Sequence, residues 1–338
     1  MMNGSGAMRR SKLANRISTL AITGLALITA AATVAIAAPE PLELLRQSIL
    51  SRATVDFSGV RTVVVFSEGR KVLGVEQKIH YAAPGKLRIV FLSPASEQGK
   101  LCLTSGEDYW EYTPATGEAV HTLLPPPERV IAGRLEELDD LARRMHLQYA
   151  GTESVAGRNA HVVKIYTAEG VPVKKAWLDG RNSVELKTQR FDSRSNVKSS
   201  VYFTSISFDP IFTPGLFEFE PPAGVKVIES QRPSERVTLD EAQKRAGFRA
   251  VVPDYLPPGF SFRSDQVAVI EVGGRPTIWL SFSNGVETFS LFQRRGSGGS
   301  QPIEHDRSVT WEDGAFCFTL MGALSDPEAR RVQASIKP

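Results

Sequence analysis

The 338-residue sequence has few of the residues from which catalytic and metal sites are built. It contains two cysteines, Cys102 and Cys317, and five histidines scattered without the spacing of metal ligands. The patterns GxSxG, GxGxxG, GxxxxGK[ST] and Cys-x-x-Cys are absent. Acidic pairs such as Glu136-Glu137 fall on the polar face of a predicted helix. We therefore predict that the protein is not an enzyme and holds neither a metal nor a cofactor.

The main part of the chain also lacks an excess of basic charge. Four basic residues, Arg9, Arg10, Lys12 and Arg16, precede the first apolar run, and no acidic residue does. Removing these four from the formal charge of +3 leaves −1 for the remainder. No basic cluster is interleaved with aromatic residues, so nucleic-acid binding is not expected.

Residues 1–37 have the pattern of an export signal. The basic residues are followed by an uncharged run, Leu20 to Ala32, and then by Ala35-Ile36-Ala37. We predict cleavage after Ala37 and a periplasmic or other extracytoplasmic location. Because Leu20 to Ala38 is uncharged over about the length of a bilayer span, retention as an N-terminal membrane anchor remains the alternative.

The two cysteines allow two interpretations in an exported protein. An oxidising compartment permits a disulfide between Cys102 and Cys317. The alternative is that each is a small buried hydrophobic side chain, because the two lie far apart in the sequence.

Alternation of apolar and polar residues predicts a β-rich first part. The stretch from Lys175 to Phe208 reads as three strands joined by turns at 179–182 and 192–196, and Val60 to Phe66 with Lys71 to Tyr81 reads as a hairpin. The polar stretch Gly151 to Asn159 is predicted to be a loop.

Apolar residues at helical spacing predict two amphipathic helices, Pro41 to Arg52 and Glu128 to Leu147. In the first, Leu42, Leu45, Ile49 and Leu50 are placed near one face. The element order predicts an α+β fold in which one strongly curved antiparallel sheet has helices on its concave side.

A second, smaller α+β domain is predicted after Pro221 to Gly224. Residues 38–228 form the predicted first domain, 229–236 a polar linker and 237–338 the second domain. Capping boxes begin its first helix at Thr238 and its last at Ser325. Between the helices, Val251 to Phe260 is too rich in proline for a regular element.

Four segments of the chain together resemble a known family. They are YAAPGKLRIVF at Tyr81–Phe91, YWEYTPATGE at Tyr109–Glu118, KAWLDGRNSVELKTQRFD at Lys175–Asp192, and FEFEPPAGVKV at Phe217–Val227. These segments resemble the periplasmic RseB/MucB family of sigma-factor regulators, whose N-terminal domain shares the fold of the lipoprotein carriers LolA and LolB. The resemblance implies an unclosed antiparallel β-barrel with helices covering an apolar concave face that can hold acyl chains.

The resemblance also implies a function and partners. Members of this family bind the exported segment of a membrane-anchored anti-sigma factor and shield it from proteolysis. They release it under envelope stress, when lipids or mislocalised lipoproteins occupy the protein. A second domain, which the carriers lack, favours regulation over simple transport.

Burial of an acyl chain contributes about 0.8 kcal/mol per CH₂, so an apolar cavity can hold a lipid without any catalytic group. The candidate cavity residues are Val63, Val65, Leu87, Ile89, Leu101, Leu103, Trp110 and Trp177. The alternative for each of them is packing in a filled core.

Three functional hypotheses remain at this point. The first is a regulator that binds an anti-sigma factor and a lipid or lipoprotein signal. The second is a LolA-like carrier of lipids or lipoproteins for outer-membrane lipoprotein sorting, and the third is a structural envelope protein without a ligand. An anti-sigma partner distinguishes the first from the second, and co-purifying lipid excludes the third.

Overall fold

The structure is a computed structural model that describes residues 38–67, 69–230, 236–262, 264, 266–272, 274–285, 287–296, 308–322 and 324–337. The predicted export signal and cleavage site and most of the predicted linker lie outside the described residues. Residues 38–338 form one compact unit. Within it, the described strands form two sheets.

The first sheet has twelve strands. They are β1 Phe57–Ser67, β2 Arg70–Ala82, β3 Lys86–Ser93, β4 Leu101–Ser105, β5 Asp108–Thr113, β6 Glu118–Leu123, β7 His146–Val155, β8 Arg158–Tyr166, β9 Pro172–Asp179, β10 Glu185–Phe191, β11 Val197–Phe208 and β12 Lys226–Ser230. Hydrogen-bonded neighbours follow the order β12-β6-β5-β4-β3-β2-β1-β11-β10-β9-β8-β7. In the described part of the chain β12 and β7 do not pair, so the sheet is unclosed, as predicted.

All neighbouring strands of this sheet are antiparallel except β12 and β6, which are parallel. Strand β12 was not predicted, and it continues to Ser230, two residues into the segment interpreted as a linker. The register of the long central strands shifts at several places, including one between Val60 and Arg61. At Gly59 a Cβ atom would lie 2.3 Å from the carbonyl oxygen of Ser205, so glycine permits the close approach of β1 and β11.

Helices α1 Pro41–Leu50 and α2 Pro127–Arg144 pack on one face of this sheet. Leu45 of α1 and Leu138 and Leu141 of α2 share a buried cluster with Val163 and Ala176 of the sheet. Each helix therefore packs an apolar face against the sheet, as predicted, although not every apolar residue of the two helices is buried.

Two details of the predicted helices are wrong. Leu50 is exposed, because α1 ends there and a 3-10 turn, Ser51–Ala53, follows. Helix α2 ends at Arg144, since Met145 has an extended backbone and His146 begins β7.

The predicted loop from Gly151 to Asn159 is wrong. Strands β7 and β8 run through it, and only Ala156 and Gly157 form the turn, both with positive φ. The segment contains few apolar residues because β7 is an edge strand with several exposed positions. Gly151, at φ +83°, lies where the β7–β8 register shifts, which also disrupts the alternation.

The second sheet contains six strands and is covered by two helices. The strands are β13 Ser261–Phe262, β14 Ala268–Val272, β15 Arg275–Ser283, β16 Thr288–Arg295, β17 Ser308–Asp313 and β18 Phe316–Gly322; the helices are α3 Leu239–Ala246 and α4 Asp326–Ser335. A buried cluster that includes Ala242, Phe282, Phe289, Phe318 and Val332 joins the sheet to both helices. The short strand β13 was not predicted.

Of the two capping boxes predicted in this second part, one is formed completely and the other only in half. Ser325 and Glu328 form the predicted capping box at the start of α4. At α3, the Thr238 hydroxyl accepts a hydrogen bond from the Glu241 amide at 3.3 Å. The Glu241 carboxylate pairs with Arg245 instead of returning to Thr238.

Several polar contacts join the two sheets. The buried Glu287 carboxylate forms ion pairs with Lys198 and Arg190 of the first sheet. The Glu328 carboxylate accepts a hydrogen bond from the Ser193 amide at 3.3 Å. The division into domains at 228 and 237 stays a prediction.

Cys102 is half-buried and Cys317 is buried, and both are free thiols. No helix among the described residues is long and apolar enough to span a membrane.

Candidate ligand cavity

A cavity of about 840 Å³ lies between the first sheet and helices α1 and α2. Its apolar wall combines residues of both layers: Leu45, Ile49, Phe57, Ile79, Leu87, Ile89, Leu138, Leu141, Ile165, Val184, Leu186, Val201 and Phe203. Strand alternation explains the part contributed by the sheet, because residues directly opposite on neighbouring strands share a face. Ile79 is opposite Ile89, and Tyr81, which also lines the cavity, is opposite Leu87.

Two of the eight candidate cavity residues, Leu87 and Ile89, line this cavity. Val63 and Val65 share the face of the cavity residue Arg61, because they follow it at two-residue intervals on β1. They lie farther along the strand and are not part of the lining.

Leu101, Leu103 and Trp110 lie on the opposite face of the sheet from Leu87 and Ile89. Cys102 is the residue opposite Ile89, so its neighbours Leu101 and Leu103 point the other way. Trp110 is opposite Leu103 and therefore shares its face.

The segment 209–225 contacts this outer face. The Arg88 guanidinium donates a hydrogen bond to the Leu216 carbonyl at 3.1 Å. The ring of Trp110 lies 5.5 Å from that of Phe219 and stacks on His121 at 4.3 Å between centroids. The outer face therefore has its own aromatic packing, separate from the cavity.

Trp177 is fully buried but does not line the cavity. Its indole N–H donates to the Glu153 carboxylate at 2.7 Å. The ammonium groups of Lys175 and Lys187 lie over the ring, at 4.4 and 4.3 Å from its centroid. Trp177 thus packs in the sheet with its polar atom satisfied.

Sequence reasoning missed the charge of the cavity. Seven basic residues line it, against two acidic ones, Glu137 and Glu185. The basic residues are Arg52, Arg61, Arg129, Arg134, Lys174, Lys187 and Arg190. Two of them have carboxylate partners, since Lys174 lies 2.6 Å from Glu185 and Arg190 lies 3.7 Å from Glu287.

Burial and mutual repulsion act on the arginines. Burial, followed by the charge of Arg52, lowers the pKa of Arg61 to about 10. The same two causes lower the pKa of Arg134. The Arg61 Nε–H donates to the neutral Gln77 side chain at 2.8 Å rather than to a carboxylate. Both arginines remain cationic near neutral pH, so the cavity combines an apolar wall with an excess of positive charge.

The arrangement has the properties of a binding site. Across the described residues, no group of three or more His, Cys, Asp or Glu side chains is arranged to hold a metal ion. An apolar wall next to fixed cations suits an amphiphile, because each part of such a ligand meets its preferred surroundings.

Comparison with known proteins gives a likeness of structure only. No family model and no curated protein sequence matches the chain. Among solved structures, MucB in complex with MucA(peri) matches with a TM-score of 0.56 and 16% identity, covering 88% of this chain and 99% of that one. The Pseudomonas aeruginosa MucA/MucB complex matches with a TM-score of 0.58 and 17% identity, covering 89% and 99%.

A further crystal structure of MucB matches with a TM-score of 0.52 and 16% identity, covering 88% of this chain and 98% of the other. At these identities the likeness concerns the fold. The chain is an α+β protein with an unclosed β-sheet and a second, smaller sheet. Its fold resembles that of MucB, and the resemblance predicted from the four sequence segments is confirmed at that level.

Proposed function

We propose that this protein is a periplasmic regulator that binds the exported segment of an anti-sigma factor and responds to a lipid or lipoprotein acyl chain in the cavity. The observation that supports it most is the extent of the likeness to MucB. A match over 88% of the chain must include the second sheet as well as the first. Two of the matched MucB structures are complexes with MucA.

The cavity supports the lipid part of the proposal. Ten buried methylenes would contribute about 8 kcal/mol before the cost of ordering the chain, at about 0.8 kcal/mol each. Helices α1 and α2 form one side of the cavity and the sheet the other. An acyl chain can therefore be enclosed by apolar residues without a catalytic group.

The carrier hypothesis uses the same cavity, so lipid binding alone does not separate it from regulation. The discriminating experiment is calorimetric titration of purified residues 38–338 with the exported segment of an anti-sigma factor from the same genome, with and without dodecanoate. We expect binding that dodecanoate weakens, and protection of the segment from a protease. Dodecanoate uptake without binding to any such segment would favour the carrier.

A cavity-filling variant sharpens this experiment. Gly133 of α2 lines the cavity, and a Cβ added there would have no heavy atom within 4 Å. Gly133→Leu should therefore occupy ligand space, and loss of a helix glycine favours the helix by about 0.5–1 kcal/mol. We expect weaker dodecanoate uptake at an unchanged or higher melting temperature. The control is Ala132→Leu on the exposed side of the same helix, which should leave uptake unchanged.

A further inference from the structure

Three arginines from separate elements line the cavity: Arg52, Arg61 and Arg134. We name them the arginine cluster. Arg52 lies in the turn after α1, Arg61 on β1 and Arg134 on α2. Their charges are close enough for Arg52 to lower the pKa of each of the other two. Helix and sheet therefore direct like charges into one space.

The arginine cluster makes no close contact with a carboxylate in the described part of the chain, although the charge of Glu185 acts on Arg61 and Arg134 and that of Glu137 on Arg134. None of its three members forms an ion pair there, whereas Lys174 and Arg190 of the same cavity do. The nearby Glu185 carboxylate lies 2.6 Å from the Lys174 ammonium. Arg61 is half-buried, whereas Arg52 and Arg134 are exposed to solvent. Because the three like charges lie close enough to act on one another, an anion bound among them would be stabilised.

The apolar wall begins next to the arginine cluster. Phe57 lies on the same strand as Arg61, and both line the cavity. Gln77, which accepts the hydrogen bond from Arg61, is two residues from Ile79 on β2. A ligand with an anionic end and an acyl chain could contact both surfaces at once.

We propose that the arginine cluster is the binding site for the anionic head group, phosphate or carboxylate, of the amphiphile whose chain lies along the apolar wall. Guanidinium groups donate paired N–H bonds to either oxyanion, and three of them can surround one group. The inference rests on the proposed function, because it assigns the polar end of the ligand in the same cavity.

The test measures displacement of a fluorescent fatty acid from residues 38–338 by ligands of equal chain length: dodecyl phosphate, dodecanoate and the neutral dodecyl maltoside. We expect the two anionic ligands to bind at least tenfold more tightly than the neutral one. Arg134→Gln should weaken the anionic ligands about tenfold, equivalent to about 1.4 kcal/mol, and leave the neutral ligand unchanged. Arg134→Lys should restore part of the loss.

The matched control is Arg143→Gln on the same helix, because Arg143 is exposed, pairs with Asp140 and lies outside the cavity lining. It should leave all three affinities unchanged. Arg134 is itself solvent-accessible, so its substitution should preserve the fold, which a melting curve checks.

The possible outcomes separate the two proposals. Equal affinity for anionic and neutral ligands, or equal losses in the Arg134 and Arg143 variants, would overturn the head-group site and leave the lipid cavity standing. Tight binding of inorganic phosphate alone, with no gain from the dodecyl chain, would assign the cluster to a free anion and overturn the amphiphile. No binding of any dodecyl ligand would overturn both.

Discussion

The Asp179 carboxylate, at the turn between β9 and β10, should contribute far more to stability than that of Asp192, in the turn between β10 and β11. The three strands form the meander predicted from Lys175 to Phe208. Asp179 ends β9, and its side chain is only 1% exposed. It accepts hydrogen bonds from the backbone amides of Arg181 and Asn182 at 3.0 and 2.9 Å, and it pairs with Arg158. Burial alone would raise the pKa of Asp179, but the bonds from Arg158 and the two amides lower it overall.

Asp179→Ala would leave the Arg158 guanidinium and two amides without their acceptor. Removal of one partner of a buried ion pair costs about 3–5 kcal/mol. Since Arg158 is partly exposed, at 28%, we expect the lower end, about 3 kcal/mol. Asp179→Asn keeps one acceptor oxygen and should cost about 1–2 kcal/mol.

The control is Asp192, in the next turn of the meander. Its carboxylate also accepts hydrogen bonds from two backbone amides, those of Arg194 and Asn196, both at 2.9 Å, but in an exposed setting. Asp192→Ala should cost about 0.5–1 kcal/mol. The assay is urea unfolding at pH 7, followed by both tryptophan fluorescence and circular dichroism so that two-state behaviour is checked.

The pH dependence has a definite sign. Because the folded pKa of Asp179 is below its ordinary value of 3.8, its contribution is present above that value and is lost as the pH falls through the folded pKa. Asp179→Asn should therefore flatten the acid limb of the stability curve. A cost for Asp179→Ala no greater than that for Asp192→Ala would refute the reasoning.

Two further predictions concern other parts of the fold. Burial alone would lower the pKa of His121, but hydrogen bonds to Asp108 and Glu229, at 2.9 and 2.8 Å, raise it overall. Because Glu229 lies in β12, protonated His121 should stabilise that strand. This stabilisation should be present below pH 6.5 and lost as the pH rises through the folded pKa. Hydrogen exchange in β12 should show this loss, and His121→Gln should remove it; an unchanged pH profile in the variant would contradict the assignment. Gly285→Ala should destabilise the protein by about 1–2 kcal/mol, because φ is +79° and the new Cβ would lie 2.9 Å from Leu141 Cβ. Thermal unfolding checks this, with Gly274→Ala, which has a similar φ and open space, as the control that should lose less.

Much of the fold could be predicted from local patterns. The meander from Lys175 to Phe208 and the hairpin at Val60–Tyr81 follow from period-two alternation and turn residues, and both are strands in the structure. The edge strand β7 escaped prediction because exposed positions and a register shift remove that alternation. Local pattern therefore identifies strands with one buried face better than it identifies edge strands.

The cavity depended on information that local patterns do not contain. A shift of one residue decides which face of a strand is inside, so Leu101 and Leu103 were assigned to the cavity although Cys102 is opposite Ile89. The arginine cluster is assembled from three elements that are far apart in sequence. No spacing rule links Arg52, Arg61 and Arg134, and only the packing of helices on the sheet brings them together.

The central claim is that the cavity holds a lipid, and mass spectrometry of organic extracts tests it most directly. The protein would be expressed from the full-length gene and purified from an envelope fraction without added lipid. The account predicts a stoichiometric acylated species with an acidic head group. Protein free of acylated species, and unable to take up a fluorescent fatty acid, would contradict it.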